Sequence, residues 1–283
     1  MLALQIERIM GRKSGLTKAS VLVALSVEMA INGSLVATAK PSQLLSPLLN
    51  RQEATQLGIK GFKFKIPGIR AASGNRIGGA VRGTGCVPKG NSIIALLPDN
   101  NMALTANGSP TLFVYIPATD AKEGELNLYE EKDTIQPVYS TKVAVSKTPG
   151  IASISIPVNA KGLPLQYGKK YKWSFSLICD AEDRAEDTTV SGWVQREQPT
   201  FTLVNNLRNV KNKREIPSIY ADAGYCEETL TSLAALRREN PNDATLKQDW
   251  QNLLRDVGLG KIALENLVDC CNPETSSAEF PGK

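Results

Sequence analysis

The chain has 283 residues, of which 42% are hydrophobic and 22% are charged, and its formal net charge is +5. These values are typical of a globular protein with one good-sized domain and a smaller one, and they exclude a fibre or wholesale disorder. The sequence contains no histidine. It therefore excludes Ser-His-Asp and Cys-His catalytic sites and histidine-ligated zinc within this chain.

Residues 1–39 have the order of features found in a secretory signal peptide. A basic start precedes an apolar stretch at residues 19–27, and an A-x-A pattern ends at Ala39, after which we expect cleavage. Glu28 interrupts the apolar stretch, which is shorter than the roughly 20 apolar residues of a transmembrane helix. We predict an exported protein, periplasmic or extracellular, with no transmembrane segment after signal cleavage. A buried N-terminal helix is the alternative, and a start at Met10 would give a signal peptide of more usual length.

Residues 40–85 are predicted to form a flexible, basic, glycine-rich linker. A solvated linker is the favoured interpretation, and the alternative is that the segment holds an anionic lipid headgroup or an acidic polysaccharide through several charge contacts. Nucleic acid is disfavoured, because few aromatic side chains are present for base stacking. The candidate residues for an anionic ligand are Lys60, Lys63, Lys65, Arg70, Arg76 and Arg82.

Residues 86–198 contain seven short apolar runs separated by turn residues. This spacing predicts an antiparallel, immunoglobulin-like β-sandwich. In one run, Trp173, Phe175 and Leu177 alternate with polar residues, so we expect one face of that strand to be buried and the other to be solvated.

Two features of this domain have both a functional and a structural interpretation. Five carboxylates lie within residues 180–187, at the tip of the last hairpin. A solvated tip is favoured over a calcium site, because the EF-hand spacing is missing. Trp173 and Trp193 could form an aromatic platform for sugar rings, but burial in the core is favoured.

Five cysteines are present, and in an exported protein spaced cysteines form disulfides rather than metal sites. Cys86 and Cys179 flank the predicted β domain and are the favoured pair. One pair and one unpaired cysteine are expected among the other three, which are Cys226, Cys270 and Cys271.

Residues 199–268 are predicted to be helical, and residues 269–283 to be a disordered tail. The stretch 220–243 resembles one tetratricopeptide unit, a helix, a turn and a helix closed by proline. A single unit either presents a groove to a partner protein or packs on the sandwich and closes the fold, and both interpretations stay open.

Several stretches together resemble one known family. They are RGTGC at residues 82–86, ALLPDNNMALT at 95–105, SPTLFVYIP at 109–117, GIASISIP at 150–157, LPLQYGKKYKW at 163–173, GWVQR at 192–196 and YADAGYCEETLTSLAALRRENPND at 220–243. In order and spacing they resemble the largely cyanobacterial family called domain of unknown function number 928. The resemblance implies an exported protein with a β domain and a helical tail, and it supplies no catalytic residues.

Export, the missing histidine and the lack of catalytic motifs together favour a non-enzymatic envelope or extracellular interaction protein. Its partner is expected to be a protein or an envelope polymer. One alternative is a carbohydrate- or polysaccharide-binding module, which needs an exposed aromatic strip on a sheet face. A second alternative is a hydrolase of envelope polymers that uses paired carboxylates. No cofactor, no metal site and no catalytic residue are predicted.

Overall fold

The computed structural model describes residues 63–69, 73–78, 85–158 and 164–271. All of them belong to one compact unit of the chain, residues 51–283. The predicted signal peptide lies outside the described residues, as do Lys60, Arg70, Arg82 and most of the predicted C-terminal tail.

The described residues form nine strands in two sheets. The first sheet has the order β1–β3–β6–β9, with β1 at Ile94–Ala95, β3 at Thr111–Ile116, β6 at Gly150–Ser155 and β9 at Leu267–Val268. The second sheet has the order β2–β8–β7–β4–β5, with β2 at Met102–Thr105, β4 at Glu123–Glu130, β5 at Tyr139–Ala144, β7 at Lys170–Ile178 and β8 at Thr188–Arg196. The chain is mainly β in this part, as the sequence predicts.

Both sheets are mixed rather than antiparallel. β2 pairs in parallel with β8, with Met102 opposite Trp193, and β6 pairs in parallel with β9, with Ile151 opposite Leu267. The prediction of a wholly antiparallel sandwich is therefore wrong at these two edges. In each sheet the parallel edge strand is far along the chain from the strand it pairs with, β2 from β8 and β9 from β6. No hairpin turn therefore forces these pairs to run antiparallel.

Strand β7 has the alternation that the sequence predicts. Tyr171, Trp173, Phe175 and Leu177 are buried, whereas the residues between them are half-buried. These buried side chains belong to one core together with residues of the first sheet, such as Ile154. Two sheets that share a core in this way form a sandwich.

Four helices follow β8: α1 at Phe201–Asn209, α2 at Ile216–Ala223, α3 at Cys226–Glu239 and α4 at Ala244–Asp256. Thr200 and Asp243 cap α1 and α4, because their side chains accept hydrogen bonds from N–H groups of the first turn. α2 ends at Gly224, whose φ of 81° is in the left-handed region that favours glycine. No helix among the described residues is long and apolar enough to cross a membrane.

Helices α3 and α4 pack against β3 of the first sheet, and α3 also packs against β2, the edge strand of the second sheet. In β3, the consecutive residues Leu112, Phe113 and Val114 are all buried, so both faces of this strand are covered. Trp250 of α4 packs edge-on against Phe113, with ring centroids 6.4 Å apart. The mainly β fold with a helical tail is thus confirmed, and the tail packs on the β domain.

The described parts of the predicted linker also contact the fold. Phe64 is buried in the core, and the backbone N–H of Lys65 donates to the carbonyl oxygen of Ala221 at 3.0 Å. Ile77 forms a β-bridge with Ile94. These apolar and backbone contacts fix residues 63–69 and 73–78 to the rest of the fold. The glycine-rich composition around them is nevertheless typical of a free linker.

The structure contains the favoured disulfide between Cys86 and Cys179, with Cα atoms 5.0 Å apart. Cys270 and Cys271 form a second bridge between neighbouring residues, whereas the buried Cys226 has a free thiol. The three C-terminal cysteines therefore comprise one pair and one unpaired residue, as expected from their number.

Candidate functional site

A cleft of about 320 Å³ lies between the turn that follows β2 and the helices α2 and α3. This volume is near the lower end of the roughly 300–1,000 Å³ of small-ligand sites. The β domain and the helical segment both contribute walls. The lining residues are Thr105, Asn107, Pro110, Thr111, Ile216, Tyr220, Glu227, Glu228, Thr231, Ser232 and Ala235.

Glu228 holds the first turn of α3 against the β domain. Its Oε1 atom accepts hydrogen bonds from Thr105 Oγ1 at 2.8 Å, from Ala106 N at 2.7 Å and from Asn107 N at 3.0 Å. The other oxygen, Oε2, is buried and accepts no hydrogen bond from any described residue. Burial raises the pKa of this carboxyl group, and the hydrogen bonds to Oε1 act in the opposite direction.

Glu227 is the more deeply buried of the two acids, with 2% of its surface exposed. Its Oε2 atom is also buried, and no described group donates to it. Burial and, second, the neighbouring Glu228 raise the pKa of Glu227 well above its usual value. Its carboxyl group therefore keeps a proton at pH values at which an exposed glutamate is ionised. Glu227 and Glu228 together are called the acidic floor below.

The two tyrosines and the cysteine near the acidic floor are held in their neutral forms. Burial, followed by the negative charge of Glu228, raises the pKa of Tyr220, and it raises the pKa of Tyr225 to about 12. Burial also raises the pKa of the Cys226 thiol, and Glu227 and Glu228 raise it further. A reactive cysteine needs a lowered pKa, so Cys226 lacks the environment of a nucleophile.

The cleft combines carboxyl, hydroxyl and amide groups with the apolar surfaces of Pro110, Ile216 and Tyr220. In the part of the chain that the structure describes, no three Cys, Asp or Glu side chains are grouped so that they could hold a metal ion. The arrangement suits a ligand that donates hydrogen bonds to the acidic floor and packs an apolar part against the walls.

The structure describes three of the six residues predicted to bind an anionic ligand. Lys63 and Lys65 are exposed. The guanidinium group of Arg76 instead stabilises the fold, because Nη1 donates to the carbonyl oxygens of Leu97 at 2.8 Å and Val257 at 2.7 Å. Anionic-ligand binding by this segment stays a prediction.

The two tryptophans considered for a sugar platform lie on opposite faces of the second sheet. Trp173 is 1% exposed and belongs to the core, whereas Trp193 is half-buried on the other face. Trp193 is opposite Lys172, which is in turn opposite Tyr129. The platform of two tryptophans is therefore wrong, because the register of β7 and β8 separates them. The favoured prediction, burial in the core, is confirmed for Trp173 and wrong for Trp193. A row of Trp193, Lys172 and Tyr129 across three strands lies on the outer face instead.

The acidic tip connects β7 and β8 in an antiparallel hairpin, as predicted. Asp187 accepts a hydrogen bond from the backbone of Cys179 at 3.2 Å and pairs with Arg184 at 2.5 Å. Asp183 accepts a hydrogen bond from the backbone of the same tip. At least two of the five carboxylates thus fix the turn.

Sequence reasoning missed the acidic floor, although one signal was present. Glu227 lies three and seven residues before Leu230 and Ala234, on the buried stripe of α3. An acid in an apolar stripe indicates a buried partner or a site. The contacts of Glu228 with the turn after β2 join residues 121 to 123 positions apart, and no local pattern reveals them.

No curated protein and no solved structure matches the chain. One family model does match it, over residues 77–267, which is more than half of the chain and includes all the residues that line the cleft. The chain therefore belongs to the family described as Domain of Unknown Function (DUF928).

Proposed function

We propose that this protein is a non-enzymatic binding protein, in which the sandwich is a scaffold and the cleft receives part of a partner. The observation that carries the proposal is the acidic floor, where two buried carboxyl oxygens have no hydrogen-bond donor among the described residues. Leaving a buried polar atom unsatisfied costs about 1–3 kcal/mol. Each of these oxygens is almost fully covered, so a ligand in the cleft reaches it only when the side chain rotates toward the cleft. A donor placed there then removes that cost, and the unsatisfied floor therefore favours binding.

The walls of the cleft are held in place before any ligand arrives. Three hydrogen bonds to Glu228 fix α3 to the turn after β2. Gly224 gives the tight turn between α2 and α3, which pack against each other. A cleft that is already ordered loses little conformational entropy on binding, which supports a recognition role.

The finer description of the fold belongs to the same proposal. An immunoglobulin-like sandwich is a frequent scaffold for recognition, and a tetratricopeptide-like helix pair presents one face to a partner. In this chain that helix pair is α2 and α3, which line the cleft. Export, which the basic and apolar N-terminus favours, would bring the cleft into contact with envelope proteins and polymers.

The proposal is tested by blocking the cleft. A tagged full-length chain is used to capture partners from the envelope fraction of its own cells, next to an Ala235→Trp variant, which fills the cleft. Lys247→Trp is the matched control, because Lys247 is exposed on α4 and does not line the cleft. We expect one defined protein to be captured by the wild type and the control and lost with Ala235→Trp. Capture of the same protein by all three chains contradicts the proposal.

Polysaccharide binding is the second candidate, and the outer row of the second sheet favours it. Trp193 and Tyr129 are half-buried on the same face, two strands apart, with Lys172 between them. Neighbouring strands are about 4.8 Å apart, so the two aromatic residues start about 10 Å from each other and could contact successive sugars of a chain. Trp193 also donates from Nε1 to the carbonyl oxygen of Ser73 at 2.6 Å, which orients its ring.

This second candidate makes a different prediction for the same fraction. Retention on immobilised envelope polysaccharide is expected to fall with Trp193→Ala and Tyr129→Ala. It is expected to be unchanged with Thr189→Ala, which is exposed on the same face. If all three variants are retained as strongly as the wild type, the outer row is excluded as a binding surface.

A further inference from the structure

The acidic floor has no cation of its own among the described residues. None of the ion pairs in the described ranges includes Glu227 or Glu228. The other titratable groups beside the floor are Cys226 on α3, Tyr220 on α2 and Tyr225 between them, and each of them is neutral. Residues 105–111 of the facing turn contribute none, but Arg196 of β8 donates to the carbonyl oxygen of Ala106 in that turn and to that of Leu165. One guanidinium group cannot balance two carboxylates, so full ionisation of the floor gives the cleft a net negative potential.

The walls match the shape of a long basic side chain. Pro110, Ile216 and Ala235 present apolar surface, and Tyr220 presents an aromatic ring. Lysine and arginine pack an aliphatic stem on such surface and extend the charged group beyond it, and an aromatic face attracts a cation. We propose that the cleft is a recognition site for a guanidinium or alkylammonium group, held by the carboxylates of the acidic floor.

The donor set favours an organic cation over a divalent metal ion. Calcium takes about six to eight oxygen ligands, whereas the acidic floor offers two carboxylates, one of which already accepts three hydrogen bonds. A guanidinium group donates several hydrogen bonds in a fixed planar geometry and suits two separate carboxyl acceptors. The cleft volume of about 320 Å³ suits one side chain rather than a bare ion.

Binding of such a cation is coupled to a proton. The inference rests on the proposed binding function, and it adds the chemical class of the bound group. Burial and the neighbouring Glu228 raise the pKa of Glu227, so the cleft without ligand holds a proton that a bound cation displaces. We therefore expect proton release on binding and tighter binding as pH rises.

The experiment measures binding of three small probes to the full-length chain by isothermal titration calorimetry. The probes are the blocked amides of arginine and lysine, and the amide of citrulline, which has the shape of arginine without its charge. We expect saturable binding of at least one cationic amide and at least tenfold weaker binding of citrulline amide. Glu227→Gln is expected to weaken cation binding at least tenfold. Glu239→Gln, at the exposed end of the same helix, should leave it unchanged.

The source of the cation is resolved by two further probes, agmatine and a blocked Gly-Arg-Gly peptide. Tighter binding of the peptide indicates a protein partner, and tighter binding of agmatine indicates a free small cation; either result supports the site. Circular dichroism of Glu227→Gln confirms that this variant is folded. Equal binding of citrulline and arginine amides, no saturable binding of either cation, or full binding by a folded Glu227→Gln variant overturns the inference.

Failure of this inference is distinct from failure of the proposed function. If Ala235→Trp loses its protein partner while no cationic probe binds the wild type, the cation site is wrong and the binding role of the cleft stands. If binding of the cationic probes depends on Glu227, but Ala235→Trp still captures every partner, the cation site stands and the proposed function of the cleft fails.

Discussion

Replacing Glu227 by glutamine is expected to change how stability depends on pH. Burial and the nearby Glu228 raise the pKa of Glu227 in the folded chain, whereas an unfolded glutamate has a pKa of about 4.3. Between these two pKa values the folded chain holds a proton that the unfolded chain has released. The free energy of unfolding therefore falls as pH rises through this window, and the loss is complete above the folded pKa.

The magnitude follows from one proton per molecule. A single group of this kind gives a slope of about 1.4 kcal/mol per pH unit inside the window. For a domain of this size, that is a fall in Tm of about 3–6 °C per pH unit. Glutamine keeps the shape of the neutral carboxyl group and cannot ionise. The stability of Glu227→Gln relative to wild type is therefore expected to increase with pH across the window.

The assay is urea unfolding followed by circular dichroism, from below the usual glutamate pKa to mildly alkaline pH. The quantity compared is the difference in free energy of unfolding between wild type and Glu227→Gln at each pH. Glu239→Gln is the control and should give a flat difference, because Glu239 is exposed. A flat difference for Glu227→Gln as well would mean that Glu227 ionises in the folded chain as it does in the unfolded chain, which refutes the reasoning.

Two further predictions concern the scaffold. The Cys86–Cys179 bridge links residues 93 positions apart. Replacing both cysteines by alanine is therefore expected to lower the free energy of unfolding by about 4.6 kcal/mol on the chain-entropy relation, as measured by urea unfolding. A measured loss below about 2 kcal/mol, the low end for typical disulfides, contradicts that relation here. Gly192→Ala would bring a Cβ atom into the Leu97 side chain and should cost about 1–3 kcal/mol. Gly260→Ala is the control and should be tolerated, because the nearest atom to its Cβ would be 3.6 Å away. Equal thermal stability of the two variants would show that the core around Leu97 accommodates the methyl group added at residue 192.

Much of the fold could be predicted from local patterns. The alternation around Trp173 and Phe175 predicts a strand with one buried face, and the structure has this strand as β7. The helical period after residue 199 predicts helices, and four are present there. These predictions succeed because burial with a period of 2 or 3.6 is determined by residues close together in the sequence.

Pairing between distant segments could not be predicted in the same way. The parallel docking of β2 on β8 and of β9 on β6 depends on how long connections cross the molecule. The opposite orientations of Trp173 and Trp193 depend on the register of a hairpin, in which a shift of one residue exchanges the two faces. Neither register nor strand order is encoded in the spacing of apolar runs.

The sequence by itself determined the mainly β fold with a helical tail, the cysteines available for a disulfide, the resemblance to one family and the exclusion of histidine chemistry. Only the tertiary structure decided where a ligand could bind. Glu228 meets Thr105 and Asn107 across more than 100 residues of chain, and the cleft above Glu227 exists because that contact holds α3 beside the turn after β2. A site of this kind depends on burial and on contacts between distant segments, and these arise only when the whole chain has folded.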